Sequence, residues 1–171
     1  KNMHDVYQLI QKVSDIRCNI IIQGESGTGK ELVAHALHDY SLRKEAPFVV
    51  IDCGALTETL LESELFGHEK GAFTGASQRK QGLMEQASGG TLFFDEVCNI
   101  SDAMQMKLMR AIEEQHVTRV GGTHSTPIDI RIVAATNRDL AQLVAEGAFR
   151  HDFYHRLNVV NIRLPSLDER R

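Results

Sequence analysis

Residues 24–31, Gly-Glu-Ser-Gly-Thr-Gly-Lys-Glu, follow directly on the apolar run Ile20, Ile21 and Ile22. The spacing fits Gly-x-x-x-x-Gly-Lys, a phosphate-binding loop set between a strand and a helix. Gly24, Gly27 and Gly29 let the backbone curl until its N–H groups face one centre, with Glu25, Ser26 and Thr28 between them. Lys30 adds a point charge for the β- and γ-phosphates of a nucleotide. A helix starting at Lys30 and Glu31 aims the positive end of its dipole at the same anion. A second motif, Thr-Leu-Phe-Phe-Asp-Glu at 91–96, reads as an apolar strand ending in two carboxylates. Asp95 suits Mg²⁺ on a nucleotide, and Glu96 suits polarisation of an attacking water. Adjacent carboxylates are costly in a core, and a strand end beside a nucleotide relieves that cost. A solvated acidic strand end is the plainer alternative. Asn137 follows Thr136 where a fourth strand ends. In open parallel sheets the ligand crevice lies there, so its amide is placed to donate to a γ-phosphate or a water. Taken alone, it would read as a turn residue.

The elements that must position these groups alternate. Helices are expected at 4–14, Lys30–Tyr40, Thr57–Phe66 and Ser101–Glu114, with two short ones near 138–146 and 149–156. Thr57 and Ser101 are their natural caps. Leu60, Leu61 and Leu65 of the third helix should face inward, as should Met104, Leu108, Ala111 and Ile112 of the fourth. Strands are expected at Asn19–Gln23, Phe48–Asp52, Thr91–Asp95, Ile130–Thr136 and Asn158–Leu164. This alternation predicts an α/β fold, a five-stranded parallel sheet sandwiched by helices. Residues 67–82 and 119–127 break the pattern with glycines and polar residues. No internal repeat or low-complexity tract is present.

The 171 residues suggest one domain, and 42% hydrophobic content supports a real core. No apolar run is long enough to span a membrane, and no signal peptide opens the chain. It opens within an amphipathic segment and stops at Asp168-Glu169-Arg170-Arg171, which reads as a piece of a longer protein. A net charge of −4 argues against DNA binding as the main task of this segment. Cys18, Cys53 and Cys98 are odd in number and lack Cys-x-x-Cys spacing, so reduced, packed thiols of a cytoplasmic protein are expected. His35 and His38 have ligand-compatible spacing but no carboxylate or thiol partner, and the eight histidines form no metal signature.

Gly71, Ala72, Phe73, Thr74, Gly75 and Ala76 form the string Gly-Ala-Phe-Thr-Gly-Ala (GAFTGA). Small residues suit a flexible loop tip, and Phe73 is its one large apolar group. An exposed aromatic there asks for a contact. GESGTGKELVA, ESELFGHEKGAFTGA, GGTLFFDE, RVGG, VAATNRDL and FRHDFYHRLNVV occur in order. Together they closely resemble the central AAA+ ATPase domain of bacterial enhancer-binding proteins, the activators of sigma-54 RNA polymerase, over essentially the whole chain.

The resemblance implies an AAA+ P-loop NTPase core over 1–171. The family's helical lid would begin beyond Arg171, and its regulatory and DNA-reading domains lie outside this chain. It implies a ring, a hexamer, with ATP and Mg²⁺ between neighbouring subunits. DNA would be reached only through the domains not present, and no membrane is involved. Lys30 and its loop, Asp95, Glu96 and Asn137 match the phosphate-loop, magnesium, water-activating and sensor positions. Arg150 and Arg156 fall where the family places arginine fingers; otherwise they would read as helix-surface ion pairs. The GAFTGA loop would contact sigma-54, with 119–127 as the second pore loop moving with it, and hydrolysis would remodel the closed promoter complex to the open one.

Three departures matter. Glu31 stands where most phosphate loops have Ser or Thr, so Asp95 must carry more of the metal. Asp52 stands where many relatives have an Asn that bonds the catalytic Glu as a switch. Asp52 and Glu96 cannot bond directly while both are ionised, so one is protonated, a water or cation intervenes, or the switch partner differs. Cys98 replaces a small residue, for which only a packing effect is expected. The alternatives are a nucleotide-gated sigma-54 binding module with vestigial turnover, and another phosphate-loop ATPase such as a helicase or loader.

Overall fold

The computed structural model describes residues 3–170. Lys1, Asn2 and Arg171, included in the expected domain, lie outside the described residues. The chain runs α1 (Met3–Val13), β1 (Ile20–Gln23), α2 (Lys30–Asp39), β2 (Phe48–Asp52), α3 (Glu58–Phe66), β3 (Gly67–His68), β4 (Lys80–Gln81) and α4 (Leu83–Gln86). It continues with β5 (Thr91–Asp95), a 3₁₀ turn (Val97–Asn99), α5 (Asp102–Glu114), β6 (His116–Thr118), β7 (Ser125–Pro127) and β8 (Arg131–Thr136). The last elements are α6 (Leu140–Ala145), α7 (His151–Leu157), β9 (Val160–Arg163) and a 3₁₀ turn (Asp168–Arg170). The main sheet has five parallel strands in the order β2-β5-β8-β1-β9.

Parallel strands covered on both faces read as continuous apolar runs, and side chains alternate between the two layers. Ile20, Ile22, Phe93, Val133, Ala135 and Ile162 pack under α1 and α2. Ile21, Ile51, Leu92, Phe94, Ile132 and Ala134 pack under α3 to α7. Thr57 and Ser101 cap their helices, accepting from Leu60 N–H and Met104 N–H. Arg131, buried at the foot of β8, donates to the carbonyls of Val13 and Ser14 at 2.8 Å each and ties down the end of α1.

Several expectations on packing and boundaries change. Leu60 is half exposed rather than inward, because Leu61 and Leu65 already fill that stripe. Ile112 is only half-buried. The region 67–82 contains the short antiparallel pair β3–β4 followed by α4, and 119–127 is flanked by the β6–β7 hairpin, which includes its last three residues. Gly67 makes the first pairing possible. At φ +76°, a side chain there would place its Cβ 2.4 Å from Lys80 O and 2.5 Å from Gly82 N. No helix among the described residues is long and apolar enough to cross a membrane.

Candidate functional site

The parallel register brings four strand ends to one edge. Gln23 lies beside Thr136, Asp52 lies beside Asp95, and Gly24 N–H donates to Thr136 O at 3.1 Å. The phosphate loop, Asp52, Asp95, Glu96 and Asn137 therefore all leave the carboxyl edge of the sheet. Gly27 and Gly29 take the left-handed conformation (φ +81° and +91°) that lets the loop curl. Gly29 also stands at the start of α2 without a side-chain cap, so the first amides of that helix remain open to an anion. Lys30 is only 7% exposed. Its Nζ donates to the carbonyls of Gly24 and Glu25 at 2.8 and 3.0 Å. Thr28 is buried and donates its hydroxyl to Glu25 O, while Glu25, Ser26 and Glu31 are exposed. Arg170 closes over the loop and donates to Thr28 O.

The acidic side of the edge is crowded. Burial, and after it the Asp52 carboxylate, push the Asp95 carboxyl above its usual range; Lys30 opposes them. Glu96 takes a left-handed backbone (φ +58°, ψ +49°), unusual outside glycine, which turns the chain sharply into the 3₁₀ turn. Asp52 makes no direct hydrogen bond to Glu96; its Oδ1 accepts Gly54 N–H at 2.9 Å. A methyl placed on Gly54 would lie 3.0 Å from Asn99 Nδ2, 3.5 Å from Asp52 Oδ1 and 3.7 Å from Glu96 Cβ. Asn99, to which residue type and spacing give no pointer, thus borders the same small space beside Gly54 as both acids.

Cys98 does more than pack. Its Sγ lies 3.9 Å from Glu96 Oε2 and 3.7 Å from Asn137 Oδ1. Burial raises its pKa, with the Glu96 charge adding to the shift, so the thiol keeps its proton to donate. Nothing in residue type or spacing announced this contact, which depends on the tight turn after Glu96.

Two arginine assignments do not converge on this edge. Arg150 starts α7 and pairs with Asp152 at 2.9 Å and Asp102 at 3.3 Å. Arg156 pairs with Glu113 at 2.9 Å, and its carbonyl accepts from the Asn19 amide beside the opposite end of β1. Neither is brought to the phosphate loop of its own chain. His35 and His38 also diverge: His35 stacks on Phe48, while His38 uses both ring nitrogens on Thr91 and Ala46 O.

The GAFTGA residues form a folded turn. Gly71 N–H donates to Ala76 O at 2.8 Å, and Ala76 is buried. Phe73 is not freely exposed, as expected from sequence, but half-buried with its ring 4.9 Å from the His68 ring. The stem of this turn is bonded to the second loop: Glu69 N–H donates to Val120 O, and Val120 N–H donates to Gly67 O. Arg119 reaches both sides, with a two-pronged bond to Glu85 and a contact to Glu69.

One family, the sigma-54 interaction domain, matches residues 1–163. The chain belongs to that family. Its fold is an AAA+ P-loop NTPase core, with no lid among the described residues. The Nif-specific regulatory protein of Herbaspirillum seropedicae is 53% identical over 171 residues, all of this chain and 32% of that protein. The sigma-54 interaction domain thus spans about a third of the length of this curated relative. NtrX from Brucella abortus in complex with ATP superposes with a TM-score of 0.90 and 40% identity, over 98% of this chain and 36% of that one. The P-loop NTPase domain of a sigma-54 transport activator from E. coli superposes with a TM-score of 0.65 at 18% identity, over 96% and 95% of the two chains, a likeness of fold.

Proposed function

We propose that this domain hydrolyses ATP with Mg²⁺ at the carboxyl edge of its sheet. Shared sites in a ring, a hexamer, would complete the machinery, and the GAFTGA loop would use the cycle to remodel sigma-54 RNA polymerase from the closed to the open complex. One observation carries the nucleotide reading. Lys30 is a buried charge whose Nζ is held by two backbone carbonyls, beside an uncapped helix start. Its ammonium and the open first amides of α2 together offer donors to an anion.

The donor set also suits Mg²⁺. Among the described residues no group of three or more His, Cys, Asp or Glu converges as a closed cage. Mg²⁺ is normally held by one or two carboxylates plus substrate phosphates. Asp95 would hold it, neutralising charge on the transferring phosphoryl group. Lys30 would leave its carbonyls for the β- and γ-phosphates. Glu96 would accept a proton from the attacking water, and Asn137 would orient the γ-phosphate or that water. Arg150 and Arg156 would leave their acidic partners to reach the site of a neighbouring subunit.

A contiguous route joins site and loop. Ser101, just past the 3₁₀ turn, donates to Glu58 at the start of α3 at 2.6 Å, and Lys107 of α5 pairs with Glu62 of α3. The end of α3 passes directly into β3, the stem of the GAFTGA turn. Such a route is a physical connection whose coupling needs measurement. Phe73 would leave His68 to meet sigma-54 with Thr74.

The deciding measurement is ATP turnover against protein concentration, in the wild type and in Arg150→Ala, Arg156→Ala and Glu96→Gln. Specific activity that rises with concentration and collapses in each variant supports a site completed in trans. Constant activity that survives both arginine changes removes the ring mechanism. A nucleotide-gated binding module is the second reading, favoured by the missing bond between Asp52 and Glu96; ATP binding without turnover at any concentration would select it.

A further inference from the structure

Helix α7 carries His-Asp-Phe-Tyr-His at 151–155. Residues four apart share one face of a helix, and here the two rings meet. Their centroids are 4.2 Å apart and the two Nε2 atoms are 2.9 Å apart. Both residues are exposed. One Nε2 donates to the other, so a single proton lies between the two imidazoles.

The separation suits a cis chelate. With metal–nitrogen bonds of about 2.0–2.1 Å, a bite of 2.9 Å subtends about 90° at the metal. That is the cis angle of square-planar and octahedral ions. A tetrahedral zinc site would need the nitrogens about 3.3 Å apart at the same bond length. Square-planar or tetragonal nitrogen sites belong to Cu(II) and Ni(II), and copper stands highest in the affinity order. An open cleft lined by Glu113, Asp152, Arg156 and Val159 takes in His155 of the pair. The two carboxylates there are already tied to Arg156 and Arg150, so water or a neighbouring group would fill the remaining positions.

We propose that His151 and His155 form a two-imidazole site for Cu(II) or Ni(II) on the outer face of α7. On binding, the donor ring takes the tautomer with its proton on Nδ1, so both neutral imidazoles present an Nε2 lone pair to the ion and close a chelate across one helical turn. Each ligand is adjacent in sequence to a candidate arginine finger, His151 to Arg150 and His155 to Arg156. An ion on this face therefore adds positive charge and bulk between the two groups proposed to enter a neighbour's site. Binding does not depend on the proposed ATPase; only its effect on turnover rests on that reading.

Ni(II) is the first probe, because the free thiols of Cys18, Cys53 and Cys98 would react with Cu(II). Calorimetric titration of the chain with Ni(II) should show one equivalent. His151→Gln and His155→Gln should each weaken binding by about tenfold or more, since losing even an outer-shell partner costs about 10–100-fold. Zn(II) should bind more weakly than Ni(II), and the Cu(II) complex should give a tetragonal spin-resonance spectrum with nitrogen coupling. Both substitutions are at exposed positions, and circular dichroism checks that they fold. Binding unchanged by both substitutions, or spread over several equivalents, would mean an adventitious ion only and overturn the proposal. Zinc binding tighter than nickel would overturn the geometric argument. Ni(II) should slow ATP turnover of the wild type and leave His151→Gln/His155→Gln unaffected. Turnover insensitive to bound Ni(II) would refute the link to the arginines, while absence of turnover without Ni(II) would count against the ATPase reading and leave the metal site standing.

Discussion

Replacing Arg119 by Ala tests whether the second loop is locked to the body of the domain. The Arg119 guanidinium donates to Glu85 through Nε at 3.0 Å and Nη2 at 3.1 Å. The Glu85 side chain is 6% exposed and that of Arg119 20%. Without Arg119, this buried carboxylate keeps a long bond from Gly82 N–H at 3.4 Å and the weaker pull of the Arg79 charge. Breaking a fully buried pair from one side costs about 3–5 kcal/mol, and an exposed pair contributes about 0–1. The partial exposure of Arg119 places the expected loss near 2–3 kcal/mol. For a domain of this size each kcal/mol moves Tm by about 2–4 °C, so the midpoint should fall by about 4–12 °C at neutral pH. The sign with pH follows from Glu85. Burial alone would raise its pKa, but the Arg119 bonds and the Gly82 amide outweigh burial and hold it below the usual value. The pair's contribution is therefore complete above the unfolded carboxylate range near pH 4.3 and is lost as pH falls through the lower folded value. Thermal unfolding followed by circular dichroism from about pH 3 to 7 measures both. The wild type and Arg119→Ala should converge in acid. A midpoint unchanged at neutral pH, or a gap of constant size down to the acid limit, would refute the reasoning. Arg119→Lys should fall between the two, because an ammonium keeps the charge but not the two-pronged geometry.

Gly67→Ala should destabilise the stem of the GAFTGA turn by about 1–3 kcal/mol or more, since it forces a left-handed alanine against Lys80 O; limited proteolysis should then cut within 69–79. Leu108→Ala, at a fully buried position of α5, should cost about 2–5 kcal/mol, read from the denaturant midpoint with an unchanged slope. Under the proposed reaction, Cys98→Ala should lower kcat by about 2–5-fold with little change in KM for ATP, as expected for loss of one weak sulfur donor. Cys98→Ser should restore kcat, and in an Asn137→Ala background the Cys98→Ala effect should shrink; equal losses in both backgrounds would separate the thiol from Asn137.

The main sheet was legible because its strands are buried on both faces and so read as apolar runs between capped helices. The phosphate loop was legible because glycines and a lysine at fixed offsets have few other uses. Strands of two and three residues, β3 with β4 and β6 with β7, leave no periodicity to read; they exist because the two loops bond to each other and to α3. Leu60 stays half outside because Leu61 and Leu65 fill the space beneath α3, a choice that three neighbouring leucines leave open in the sequence. Phe73 was expected outside because its neighbours are small, yet His68, five residues earlier, supplies a ring for it. The Cys98 contacts follow from the backbone turn at Glu96, which residue type does not encode. The His151–His155 approach required two rotamers to point together, and spacing alone permits that arrangement without requiring it.

The departures at Asp52 and Glu31 gain one electrostatic meaning at the carboxyl edge. Asp52 and Glu31 both act to raise the Asp95 pKa, and Lys30 is the opposing positive charge. With Glu96 next to Asp95 in the chain, Asp95 has three acidic neighbours, and the one ammonium that opposes them is spent on the carbonyls of its own loop. Crowded acids of this kind disfavour the ionised state of the most buried member, which here is the residue proposed to hold the cation. A divalent cation at Asp95 would relieve the repulsion among all four. Losing the hydroxyl normally found at position 31 therefore need not weaken the site: the added carboxylates replace a neutral ligand by a more negative field. That field is long-ranged and salt-sensitive, so the proposed site should draw more on electrostatic attraction, and less on fixed coordination, than a phosphate loop with Ser or Thr at that position.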